Sequence, residues 1–156
     1  MTAAGQPPRA QRVSARDISP NRRRGGDLRI VLGPATVGAT AGFLGVLTLH
    51  EGEYVAEHYH PYSEEFLYVT EGDLSVRIEG DYIDLAAGEG VLVPTGQRHR
   101  VEKRGPGRCV AVFQLCPLAP HPSLGHVDIE PLAPAAGAAP QRASGTAAAS
   151  ASGTNT

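Results

Sequence analysis

Gly52–Gly72, GEYVAEHYHPYSEEFLYVTEG, decides how this chain folds. It sets His58 and His60 one residue apart, with Glu64 and Glu65 after a Pro61-Tyr62-Ser63 break. In a β-strand the side-chain period is two, so an H-x-H pair turns both imidazoles to one face. The same parity puts Tyr54 and Ala56 on the face of His58 and His60, and Val55, Glu57 and Tyr59 on the other. Two imidazoles side by side, with a carboxylate brought round on the next strand, are the usual materials of a divalent-metal site.

Outward from this stretch the chain reads as short strands punctuated by turns. Leu28–Leu32, Phe43–His50 and residues 54–60 precede the break, and Glu65, Leu67 and Val69 share a face after it. Thr70-Glu71-Gly72-Asp73 reads as a hairpin turn. Leu74, Val76 and Ile78 then alternate with polar residues, and Tyr82–Leu85, Val91–Val93, His99–Lys103 and Cys109–Leu115 come next. About nine short strands at regular spacing, with no helical periodicity, predict an antiparallel sandwich or barrel.

A chain of 156 residues allows one domain with a real core plus tails. Residues 1–26 carry six arginines against one acid, Asp17, with several Pro and Gly, and are expected as a flexible arm. Within it, Arg22–Arg24 is either a solvated basic patch or an anchor for an acidic partner. The barrel domain is expected over 27–130, and the Ala/Gly/Ser/Thr-rich stretch 131–156 as a disordered tail. A formal net charge of -2 argues against bulk nucleic-acid binding. Lys103 is the single lysine among many arginines, a bias attributable to codon usage. Cys109 and Cys116 are seven apart, on opposite faces of one strand, so they are read as unpaired thiols. No apolar run approaches a membrane span, and the N-terminus lacks the apolar core of a signal peptide, which places the expectation in the cytoplasm.

Two spaced motifs identify the family. Gly52, His58, His60, Glu65 and Gly72 fit G-x5-H-x-H-x4-E-x6-G, and Gly88, Pro94, Gly96 and His99 fit G-x5-P-x-G-x2-H. These resemble the signature motifs of the cupin superfamily, with one departure: Lys103 stands where the second motif usually ends in Asn. The resemblance implies an all-β jelly-roll, the double-stranded β-helix barrel, with a metal held by His58, His60, Glu65 and His99. Parity agrees with Glu65 over Glu64, since Glu65 shares the face of Leu67 and Val69. The runs SPNRRRGGDLR, ATVGAT, EHYHPYSEEFLYV, LVPTGQRHR and PLAPHPSLGHVD are similar to the small single-domain cupin cyclases of aromatic (type II) polyketide biosynthesis, of the tetracenomycin, resistomycin and spore-pigment type.

That narrower resemblance implies a metal-dependent polyketide cyclase of antibiotic biosynthesis. It would promote regiospecific intramolecular aldol closure, dehydration and aromatisation of a poly-β-ketone, with His58, His60, His99 and Tyr54 as catalytic candidates. Zinc is the expected metal; iron, nickel and manganese suit the same donors. Some sites of this family are richer in histidine, so either Glu65 or an extra histidine, His50 or His126, completes the set. Of these, His50 is read as a rim residue and His126 as exposed beyond the barrel. The substrate is expected on an acyl carrier protein, with Arg22–Arg24 as the docking candidate, and the chain as a homodimer. Two other classes share the scaffold: a non-haem metal oxygenase acting on an aromatic polyketide, and a non-catalytic accessory subunit of the synthase complex.

Overall fold

The computed structural model describes residues 9–132. All nine expected strands form, as β1 (Asp27–Leu32), β2 (Phe43–His50), β3 (Tyr54–Tyr59), β4 (Glu64–Glu71), β5 (Asp73–Ile78), β6 (Asp81–Ala86), β7 (Gly90–Val93), β8 (His99–Glu102) and β9 (Arg108–Cys116). A two-residue β10 (Val127–Asp128) and a one-turn α1 (Pro34–Val37) were not foreseen. The strands build two five-stranded antiparallel sheets, in the orders β1-β2-β9-β4-β7 and β10-β3-β8-β5-β6. This is the two-sheet jelly-roll that the motifs imply.

Alternating apolar residues fill the space between the sheets. Leu47, Leu49, Leu67, Val69, Leu74, Val76, Val101, Ala111 and Phe113 form one buried cluster. The motif histidines and Glu65 lie at one end of it. His58 pairs with His99 and His99 with Ile78, while Glu65 pairs with Leu115 and Val93. At the opposite end of the same strands lie Tyr54, Glu102 and Ser75.

One irregularity matters for the site. β3 pairs with β8 at Tyr54 and Val55 and again at His58, with a bulge between Val55 and His58. A bulge inserts one extra residue and reverses the facing parity of the residues beyond it. Val55 and His58 therefore both point inward, although three positions separate them. Tyr54 is turned outward with Glu102, and its ring lies 3.9 Å from the Arg100 guanidinium carbon.

The outer faces of the sheets contrast. On the sheet containing β3, Arg77 lies 3.5 Å from Glu57, and Arg100 lies 3.0 Å from Glu102 and 3.2 Å from Glu130. On the other sheet, Leu32, Leu44, Gln114, Phe66 and Leu92 stand in one row of paired positions across all five strands. Phe66, Tyr68 and Leu92 there are 45%, 50% and 44% exposed.

The arginine-rich segment, expected as a flexible arm, makes defined contacts over residues 9–26. Its order comes from hydrogen bonds rather than apolar burial. The Arg29 guanidinium donates to the carbonyls of Ala15 (3.1 Å) and Ile18 (3.0 Å). Asn21 bridges to Leu28, and the Ala56 N–H donates to the Arg24 carbonyl at 2.9 Å. The low-complexity tail lies, from 133 onward, outside the described residues. The sole lysine, Lys103, is buried with its ammonium 3.0 Å from Asp73, as a buried charge requires. Cys109 and Cys116 are both free, as their spacing implies.

The two glycines that bound the opening stretch do different work. Both have positive φ, 78° at Gly52 and 73° at Gly72. A Cβ at Gly52 would meet open space, whereas one at Gly72 would drive into the Arg108 carbonyl. Gly52→Ala should lower the unfolding free energy by about 1–2 kcal/mol, from backbone strain alone. Gly72→Ala should lower it by clearly more, because β9 must also shift. Urea denaturation measures both, and equal losses would contradict this assignment.

Candidate metal centre

His58, His60, Glu65 and His99 are all buried, and one ligand atom from each lies within 4.8 Å of the others. The ring centroid of His58 lies 5.0 Å from that of His60 and 4.3 Å from that of His99. β3 supplies His58, the residue after it supplies His60, β4 supplies Glu65 and β8 supplies His99. Sheet closure brings the three strands together.

Each imidazole is oriented by a backbone carbonyl. His58 Nδ1–H donates to Ala56 at 2.7 Å, His60 Nδ1–H to Gly125 at 2.8 Å, and His99 Nδ1–H to Gln97 at 2.9 Å. A carbonyl can only accept, so all three rings carry the proton on Nδ1 and leave Nε2 for the centre. Hydrogen bonds of this kind fix the tautomer and ring plane of histidines in metal sites.

On the inner side, His99 Nε2 lies 2.8 Å and His60 Nε2 3.2 Å from the same Glu65 oxygen, Oε2. A neutral imidazole has one N–H, and here Nδ1 uses it. Both rings therefore face a carboxylate with a lone pair unless an extra proton or a cation stands between. Two buried imidazolium ions with a third imidazole beside them would be costly. A single divalent cation would satisfy three Nε2 lone pairs and the carboxylate together, so the donor set fits such an ion.

The electrostatics set the rings of His58 and His99 apart. Burial holds the His58 ring neutral, pushing its pKa down to about 2, and the neighbouring His99 and His126 act in the same direction. Burial alone would raise the Glu65 pKa; the His60 and His99 rings beside it outweigh burial when they carry a second proton on Nε2, and hold the carboxyl below its usual range, the role a cation would take in place of those protons. Burial likewise works against charging His99, and the Glu65 carboxylate outweighs it, raising that ring's pKa.

The other candidates fall elsewhere. Tyr54, expected on the ligand face, is on the outside of the sheet because of the β3 bulge, so its place as a catalytic candidate is corrected. Glu64 precedes Glu65 on β4 and pairs with Cys116, outside the cluster. His50 is exposed at the end of β2, paired with Arg108, at the end of the barrel away from the cluster. His126, expected to be exposed, instead stacks on His58, with centroids 4.2 Å apart and planes at 14°. Its Nε2 is 3.1 Å from Asp128 Oδ1, off the line of a hydrogen bond. Burial pushes its pKa down to about 3, helped by Arg24 and His60.

Sequence reasoning missed the three orienting carbonyls and the pairing of Asp128 with Arg24 at 2.6 Å. Carbonyls leave no mark in a sequence. The PLAPHPSLGHVD run was visible, but no periodicity shows that its end becomes a strand beside β3.

Residues 45–113 match the Cupin domain family. The chain is 53% identical over 118 residues to polyketide synthase CurC of Streptomyces cyaneus, covering 76% of this chain and 77% of that protein. It is 48% identical over 136 residues to tetracenomycin polyketide synthase protein TcmJ of Streptomyces glaucescens, covering 87% and 91%. The polyketide cyclase RemF of Streptomyces resistomycificus shares the fold, with a TM-score of 0.58 and 21% identity over 72% of this chain and 83% of that one. Motifs, barrel and relatives converge: the chain belongs to the cupin family, among the small cupin proteins of aromatic polyketide synthases.

Proposed function

We propose that the protein is a metal-dependent cyclase that directs intramolecular aldol closure and aromatisation of a poly-β-ketone. The observation that carries this reading is the set of three Nδ1-protonated histidines presenting Nε2 toward Glu65. Its place in polyketide biosynthesis is supported by the relatives CurC and TcmJ. The ion, which we propose to be zinc, would be held by His58, His60, His99 and Glu65. When bound, it supplies Lewis acidity toward the oxygens of a β-dicarbonyl unit.

The chain's own groups do the rest. The carbonyls of Ala56, Gly125 and Gln97 keep the three rings in one tautomer. Glu65 contributes a negative charge that lowers the net charge of the centre. Ile78, Val93 and Leu115, paired in register with His99 and Glu65, give the site apolar neighbours that exclude water. In the reaction a methylene between two carbonyls loses a proton and its carbon bonds to a distant ketone carbon. The ketone oxygen takes that proton and becomes a hydroxyl; the former methylene carbon then gives up its second hydrogen as the hydroxyl leaves as water, a C=C bond forms, and enolisation of the remaining ring ketones makes the ring aromatic. The enzyme's contribution is the choice of which carbons meet.

The substrate is proposed to arrive on an acidic acyl carrier protein in the cytoplasm; among the described residues no helix is long and apolar enough to cross a membrane. Arg22 lies 3.0 Å from Asp27 and Arg24 is held by Asp128. Arg23, 64% exposed and 3.7 Å from Asp128, is the member of the cluster best placed to meet a carrier. The homodimer is proposed to form through the charge-free row of Leu32, Leu44, Gln114, Phe66 and Leu92. Exposed apolar surface of this kind marks an interface, and on the central strand Gln114 offers an amide that can pair with its own copy across a two-fold axis.

Two experiments test this. Poly-β-ketone presented on carrier protein should give one dominant ring pattern with the native protein, and the spontaneous mixture after chelation or with His99→Ala. Added Zn2+ should restore the chelated protein only, and Arg23→Ala should slow the carrier-bound reaction at low salt alone. Unchanged cyclisation without metal removes the catalytic role of the ion, and oxygen uptake coupled to product formation would make the protein an oxygenase. Light scattering should find a dimer in the native protein and a monomer in Phe66→Lys; a native monomer, or a dimeric variant, contradicts the proposed interface.

A further inference from the structure

The four residues of the cluster are only 1–8% exposed, so a substrate cannot touch them in this arrangement. Over His58 and His60 the cover comes from one segment. After β9 the chain turns back at Pro117, whose carbonyl accepts from the Ser63 hydroxyl. It crosses the end of the barrel, where Gly125 accepts from His60 and His126 stacks on His58. It then runs into β10, which pairs with Tyr59 and His58.

This cover is lightly attached. β10 contributes two residue pairs, against eight between β2 and β9. Leu124 in the same segment and Ile129 just beyond it remain exposed, so little apolar burial holds it down. The strongest tie is electrostatic: Arg24 Nε lies 2.6 Å from Asp128 Oδ1 and Arg24 Nη2 3.5 Å from Oδ2. Arg24 is itself anchored, because its carbonyl accepts from Ala56 of β3. Two segments 104 residues apart in sequence thus sit along one edge of β3 and are clipped together by an ion pair.

We propose that Pro117–Asp128 is a lid over the centre and that the Arg24–Asp128 ion pair is its latch. With the lid raised, His126 leaves the ring of His58 and uncovers a flat face suited to a planar conjugated ligand. Only that last feature rests on the proposed polyketide substrate; the latch stands on the contacts. Charge-assisted hydrogen bonds of this geometry are the strong ones, so the latch sets how often the lid opens.

Hydrogen exchange on the purified full-length protein reads the opening directly. The reporter is the amide of Ile129, the residue next to β10, which donates to the Glu57 carbonyl of β3 at 2.9 Å and loses that bond when β10 lifts from β3. In the native protein it should exchange at least about tenfold faster than core amides between β2 and β9, as expected for local rather than global opening. Asp128→Ala, and Arg24→Gln from the other side, should each speed it by a further factor of about five to ten and leave core amides unchanged. The swap Arg24→Asp with Asp128→Arg should return it toward the native rate. The proposal is overturned if Ile129 exchanges as slowly as the core, if the single variants leave it unchanged, if they speed the core equally, or if the swap fails to restore it. Neither metal nor polyketide takes part in this measurement, so its outcome is independent of the cyclase reading.

Discussion

Three hydrogen bonds from imidazole Nδ1 to backbone carbonyls govern the functional end of this barrel. They remove the tautomeric freedom of His58, His60 and His99 and turn three Nε2 lone pairs toward one carboxylate. Without a cation that arrangement sets lone pairs against a buried anion or demands several buried charges. With a divalent ion it is mutually satisfied, at the cost of holding the rings rigid before the ion arrives. Two of the carbonyls, Ala56 in β3 and Gln97 in the turn before β8, belong to the barrel and hold His58 and His99 in place, while the third, Gly125, belongs to the Pro117–Asp128 segment and orients His60 when that segment is down.

The barrel serves that constraint by dividing its interior. Aliphatic side chains such as Leu49, Val69 and Val76 fill one part and hold the two sheets in register. The polar cluster occupies the other end, where β3, β4 and β8 converge. The division extends to the surface: the sheet that carries two histidines is salt-bridged on its outside, and the opposite sheet is apolar there. The free edge of β3 is covered in two pieces, by Arg24 and by β10, which also removes an unpaired strand edge. One of those pieces supplies the Gly125 carbonyl, so edge protection and ligand orientation are joined in the same segment.

Much of this was legible in the residues. Motif spacing and period-two alternation located the strands and the three histidines of the buried cluster, and parity with Leu67 and Val69 separated Glu65, which joins that cluster, from Glu64. Parity failed at Tyr54 because a β-bulge adds a residue without a sequence signal strong enough to announce it. The fate of Arg22–Arg24 was illegible for another reason: the acids that engage it, Asp27 and Asp128, include one near the far end of the described chain. His126 was hidden similarly, since its approach to His58 depends on a two-residue strand below the length at which alternation can be read. Lys103 looked like a compositional accident, and its burial against Asp73 comes from packing that no local pattern encodes.

On the proposed function these four side chains form one metal-binding centre through Nε2 of three histidines and the Glu65 carboxylate. The direct measurement is anomalous diffraction from crystals of the metal-loaded protein at the absorption edge of the bound element. Such a centre should give a single strong peak per chain, about 2.1 Å from Nε2 of His58, His60 and His99 and from a Glu65 oxygen. A peak bound through Nδ1, a peak lying elsewhere in the chain, or full loading with no peak in this cluster would contradict it.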